Sequence, residues 1–166
     1  MRFKHLISLL ALAVAACGQE AAEQEQASSD ARPDAVVEQA PIPEALDLEA
    51  ITFLDIEREN LFGAGCSFAP TGGGMGALAI AQGEAGYLKI DGEVVRFSPD
   101  ADSPELPLGA RERYTGSAHS FQLTMQQDEA EQSGYETVNY PGRLTVRDRT
   151  GAIISYDSEG MVQCGS

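Results

Sequence analysis

The sequence predicts an all-β protein: a small antiparallel sandwich or barrel-like meander that follows a disordered N-terminal tether. Three observations predict it. Phe121, Leu123 and Met125 alternate with Gln122, Thr124 and Gln126, the period-two signature of a half-buried strand. Asp91-Gly92 separates Tyr87–Ile90 from Glu93–Phe97, as the favoured two-residue hairpin turn does. From Ala50 onward, short apolar runs and turn residues recur at roughly eight to twelve residue intervals, the spacing of a sandwich or barrel.

The first seventeen residues are of a different kind. Arg2 and Lys4 make a short basic start, Leu6 to Ala16 is continuously small and apolar, and Cys17 follows Val14-Ala15-Ala16. A basic start, an apolar stretch of about seven to fifteen residues and a small-residue cleavage site describe an export signal. The stretch is shorter than the roughly twenty residues a membrane span needs. Val14 to Cys17 resembles the lipobox of bacterial lipoproteins, a branched apolar residue, two small ones and a cysteine. The resemblance implies cleavage before Cys17, a diacylglyceryl thioether on its sulfur and an amino group open to acylation. Two or more chains give stable membrane attachment where one does not. Gly18 replaces the Asp that in Gram-negative lipoproteins signals inner-membrane retention. The expected location is therefore the cell envelope, anchored in the outer membrane and facing the periplasm.

Residues 17 to 48 read as a lipidated linker. They are rich in Ala, Glu, Gln and Pro, poor in aromatics, and broken by Pro33, Pro41 and Pro43, a composition that cannot bury enough surface to offset chain entropy. Residues 49 to 166 form the globular domain. Ile51–Ile56 is compatible with a strand or a short helix, and Glu57–Gly65 reads as a turn into Cys66-Ser67-Phe68. Pro70–Gly76 is a flexible loop before the apolar Ala77–Ala81. After the hairpin, Ser98–Leu108 is a crossover and Ala110–Thr115 alternates. Gln127–Pro141 is an acidic excursion, and Leu144 and Val146 alternate with Arg143, Thr145 and Arg147. Arg149-Thr150-Gly151 turns the chain into Ala152–Tyr156, and Ser158-Glu159-Gly160 turns it again into Met161–Cys164.

With Cys17 given to lipid, Cys66 and Cys164 remain. In an oxidising envelope an even pair reads as a disulfide, closing a loop of about a hundred residues and stabilising by up to about 4–5 kcal/mol in the chain-entropy model. The formal charge of −15 opposes nucleic acid and anionic headgroups, so nucleic acid is not an expected partner. The expected partners are the bilayer, through Cys17, and an envelope protein or cell-wall component.

No catalytic set, metal set or cofactor loop stands out. His119 is the single imidazole beyond the signal, flanked by Ser117 and Ser120, without a G-x-S-x-G elbow. Gly72–Gly76 imitates a dinucleotide loop, yet a strand follows it where the motif needs a helix. Asp100, Asp102 and Glu105 lack the spacing of a calcium loop. The most distinctive feature is basic: Arg111 and Arg113 on one predicted strand, Arg143 and Arg147 on another. If neighbours, they would form a patch able to grip an anionic partner. The alternative is cross-strand pairing with acids such as Glu136 or Asp148.

The layout of lipobox, small β-domain and an early cysteine paired with a late one is similar to the membrane-bound lysozyme inhibitors of the C-type family. That family's inhibitory loop carries a Ser-Gly-rich segment before a Tyr, whereas Arg113-Tyr114-Thr115-Gly116-Ser117 runs in the other order. The expected function is a non-enzymatic binding module, with lysozyme inhibition and an envelope enzyme as alternatives.

Overall fold

The computed structural model describes residues 46–166. The signal at 1–16, Cys17 and the linker up to residue 45 lie outside the described residues. Ten strands form one antiparallel sheet: β1 (Leu48–Glu49), β2 (Gly65–Pro70), β3 (Ala79–Gln82), β4 (Gly86–Ile90), β5 (Glu93–Pro99), β6 (Arg113–Thr115), β7 (His119–Met125), β8 (Glu131–Gln132), β9 (Val138–Asp148) and β10 (Ile154–Gly165). Apart from the two-residue β1 and β8, each strand pairs with the next in chain order, and β10 pairs back onto β2. The sheet is thus a closed up-and-down barrel, the arrangement that leaves no long free edge. Of the two architectures the sequence allows, the barrel is the one formed.

Period-two alternation fills the interior. Phe68, Leu88, Phe97, Tyr114, Phe121, Leu123, Leu144, Val146 and Val162 are all at most 1% exposed. With no Trp in the chain, three rings fill the middle. Tyr114 stacks on Phe121 at 4.8 Å, and Phe97 meets Phe121 edge-on at 5.2 Å, geometries that add to simple burial. The Tyr114 hydroxyl donates to the Gln82 carbonyl (2.7 Å) and accepts from the Arg111 amide (2.8 Å). A buried phenol is therefore fully satisfied.

The β4–β5 hairpin has the predicted two-residue turn, with Asp91 and Gly92 both at positive φ (50° and 80°). Ser158-Glu159-Gly160 is not a turn. β10 runs unbroken through it, pairing Ser158 with Leu144 and Gly160 with both Gly142 and Pro70. Glycine serves there for close approach: a Cβ on Gly160 would sit 2.1 Å from the Ala69 carbonyl oxygen and 2.8 Å from the Phe68 ring. The acidic excursion is also shorter than predicted, because β9 already begins at Val138. At the start, Leu46 and Leu48, which the sequence leaves in the linker, pack against the core. The Leu46 amide donates to the Ser155 carbonyl at 3.0 Å.

The ring closes where β2 meets β10. Cys66 and Cys164 stand directly opposite in that register and are joined by a disulfide across 98 residues of sequence. Both are nearly inaccessible, at 2% and 3% exposed. The loop before β6 covers this region, with a 3-10 turn at Pro107–Gly109 against β2 and β10. Replacing both cysteines with Ala should lower stability by about 2–5 kcal/mol while the far-ultraviolet spectrum stays strand-type. Thermal melts followed by circular dichroism would check both.

Candidate functional site

One element departs from the all-strand expectation. Phe53–Glu59 is a helix, α1, started by a capping box: the Thr52 hydroxyl accepts from the Asp55 amide, and the Asp55 carboxylate accepts from the Thr52 amide at 2.9 Å. Asn60 ends it in a left-handed conformation. The helix lies outside the barrel on outward-facing side chains of β3, β4 and β5. There Ile51, Leu61 and Ile80 form a second buried cluster with Ile56, Tyr87 and Val94 packed around it.

Asp55 fixes α1 to the sheet. It is 3% exposed and takes hydrogen bonds from the Thr52 amide and hydroxyl, from Lys89 Nζ on β4 at 3.1 Å, and from Arg58 at 2.8 Å. The Thr52 amide and hydroxyl, and then Lys89, hold its carboxyl far below the ordinary carboxylate range. Such bonds favour the ionised form. The Gln82 side-chain amide donates to the Leu61 carbonyl at 2.9 Å and secures the segment after the helix.

Fixing Ile56 and Leu61 inward leaves Phe53, Leu54 and Phe62 at 63%, 71% and 61% exposed. Phe53 and Phe62 meet edge-on at 6.4 Å. Between them and the β2–β10 seam lies a groove of about 360 Å³. One wall is apolar (Phe53, Ile56, Leu61, Phe62). The other is polar (Ser67, Thr137, Gln163). An aromatic pair standing free beside a concave surface is the strongest candidate site among the described residues, because grouped exposed apolar side chains mark interaction surfaces. A larger groove of about 680 Å³ runs past Thr124, Pro141 and Met161, but the ion pairs of Arg143 occupy its border.

The four arginines do not sit on neighbouring strands, although Arg113 and Arg147 line one pocket of about 200 Å³ across β7. β7 separates β6 from β9, and each guanidinium has a partner within the domain. Arg111 meets Glu105 at 3.4 Å and the Ser103 carbonyl at 3.2 Å. Arg113 meets Asp100 at 2.9 Å. Arg143 bridges Asp157 and Glu159, and Arg147 donates to the Gly151 carbonyl at 3.3 Å. The partners are thus Glu105, Asp100, Asp157 and Glu159, not Glu136 or Asp148.

The remaining motifs are also placed. Asp100 accepts from the Asp102 amide and from Arg113, which lower its pKa in that order. Asp100 and Glu105 are thus engaged with arginines of the chain itself. Gly72–Gly76 connects β2 to β3, strand to strand. His119 pairs in register with Asp148, but that carboxylate accepts from the Thr150 hydroxyl and the Ile153 amide. Tyr114 is fully buried, so Arg113–Ser117 presents no tyrosine to an enzyme's cleft. No group of three or more His, Cys, Asp or Glu among the described residues could hold a metal ion.

Two outcomes follow. Phe53→Ala with Phe62→Ala should shift the melting temperature by only a few degrees, since exposed side chains contribute little to folding. Asp55 is ionised at lower pH in the folded than in the unfolded chain. Its contribution is therefore complete above about pH 4 and lost as pH falls below that. Melting temperature measured from pH 7 to pH 2 should fall less steeply for Asp55→Asn than for the native chain, and equal slopes would contradict the anchoring role.

No family model, no curated protein and no solved structure matches this chain.

Proposed function

We propose that this protein is a non-enzymatic binding module, held in the outer membrane by lipid on Cys17 and facing the periplasm. Its partner would be an envelope protein or cell-wall component. The observation that carries the reading is the exposed Phe53–Phe62 pair beside its groove. Exposed side chains paired across a rigidly capped helix and the segment that follows it suit recognition better than folding.

The placement of the groove supports it further. The described residues begin at Leu46, beside Ser155 near the start of β10. The groove is bordered by Gln163, Gly165 and Ser166 at the other end of that strand. Some ten residues of strand, about 30 Å, separate the two. A tether of about thirty residues ahead of Leu46 would add on the order of 30 Å of reach as coil.

Mass spectrometry of the processed protein tests the anchor. The expected product begins at Cys17 with a diacylglyceryl adduct and fractionates with membranes, and Cys17→Ser moves the protein to the soluble fraction. An unmodified amino-terminal residue in the membrane-free fraction of the native strain would contradict it.

A further inference from the structure

We infer that the groove beside α1 takes a basic segment of a protein partner, one that presents a single aromatic or long aliphatic side chain between lysines or arginines. This rests on the binding-module reading above and names the chemistry of its partner.

Shape sets the first condition. A volume of about 360 Å³ is at the small end of ligand pockets and suits one or two large side chains rather than a whole helix face. Phe53 and Phe62 offer ring faces and edges to an apolar or cationic group. The hydroxyls and amide of Ser67, Thr137 and Gln163 on the opposite wall can bond the backbone that carries that side chain.

Charge sets the second. Residues 46–166 hold 19 Asp and Glu against 8 Lys and Arg. Near the groove the cations are already used: Arg58 pairs with Asp55 and Glu59, and Lys89 with Asp55. Two carboxylates adjoining groove-lining residues, Glu57 next to Ile56 and Glu136 next to Thr137, meet no cation among the described residues. Glu57, one helical turn beyond Phe53, is exposed. Glu136, beside Thr137, accepts only from the Ser166 hydroxyl at 3.2 Å. A groove with one apolar and one polar wall, beside two carboxylates without a cation, favours a cationic segment and repels an anionic one. The same excess of acid opposes a second copy of this chain and an anionic lipid surface.

Preorganisation is the third. The capping box, the Asp55–Lys89 pair and the Gln82–Leu61 bond hold the aromatic edge in place, so little is lost in ordering it on binding.

The chain contains no Trp, so a tryptophan peptide supplies the sole indole signal. The full chain in non-ionic detergent would be titrated against Lys-Lys-Trp-Lys-Lys, Glu-Glu-Trp-Glu-Glu and Ser-Ser-Trp-Ser-Ser, with emission wavelength as the readout. The cationic peptide should bind best. Phe62→Ala should weaken it about tenfold, and Glu57→Lys with Glu136→Lys should weaken it and flatten its salt dependence, both without loss of strand spectrum. Equal binding of the neutral or acidic peptide, abolished by Phe62→Ala, would overturn the cationic partner while leaving a binding groove in place. Response of the cationic peptide unchanged by Phe62→Ala would place binding elsewhere. Self-association abolished by Phe62→Ala, with no peptide response, would give the groove to a second copy. The last two outcomes also overturn the inference.

Discussion

Everything in the barrel depends on the pairing of its first strand with its last. β2 and β10 are 98 residues apart at their cysteines, and six register pairs join them, Gly65–Gly165 through Pro70–Gly160. The other barrel pairings link neighbours in the chain. The seam alone is strongly non-local, so it carries most of the loop-closure entropy of the fold. The disulfide acts at that place, because it removes the same entropy from the unfolded chain. Closure also requires close approach, and Gly160 opposite Gly142 and Pro70 provides it where any Cβ would meet the neighbouring backbone. The groove is built on the seam, with Ser67 contributed by one strand and Gln163 by the other. Fold and candidate site therefore share one constraint.

Electrostatics divides the surface in two. Arg113, Arg143, Arg58 and Lys89 are committed to carboxylates within the domain. These contacts hold strands and turns in register, each at modest energetic effect where exposed. Arg96, Arg147 and Arg149 meet no carboxylate among the described residues, but residues 46–166 hold 19 Asp and Glu against 8 Lys and Arg, so the net outward charge is negative. An arginine-rich sequence motif became internal pairing because the acids were near in space without being near in sequence. Asp157 and Glu159 reach Arg143 only because β10 runs straight past β9.

What the sequence made legible was what local periodicity encodes. The alternation of Phe121 to Met125, the Asp91-Gly92 turn and the pair Cys66 and Cys164 identified strands, a hairpin and a staple that the structure contains. One error came from reading a local signal without its tertiary partner. Ser158-Glu159-Gly160 has turn composition, but the glycine is demanded by a crossing backbone rather than by a bend. Ile51–Ile56 is too short for a helical stripe, yet Thr52-x-x-Asp55 is a capping signature that could have located α1. The groove had no signature at all. Phe53 and Phe62 gain meaning only when α1 docks on Ile80 and Tyr87 and leaves them outside.

The α1 edge of the seam is the proposed place where this domain meets another molecule. A photo-crosslinking amino acid placed at Phe62 in living cells tests it most directly, with the same residue at the exposed Ile154, near the start of β10, as the reference. The account predicts a discrete adduct from position 62, at a segment rich in Lys or Arg, and none of that mass from position 154. No adduct at 62, or the same adduct from both positions, would contradict it.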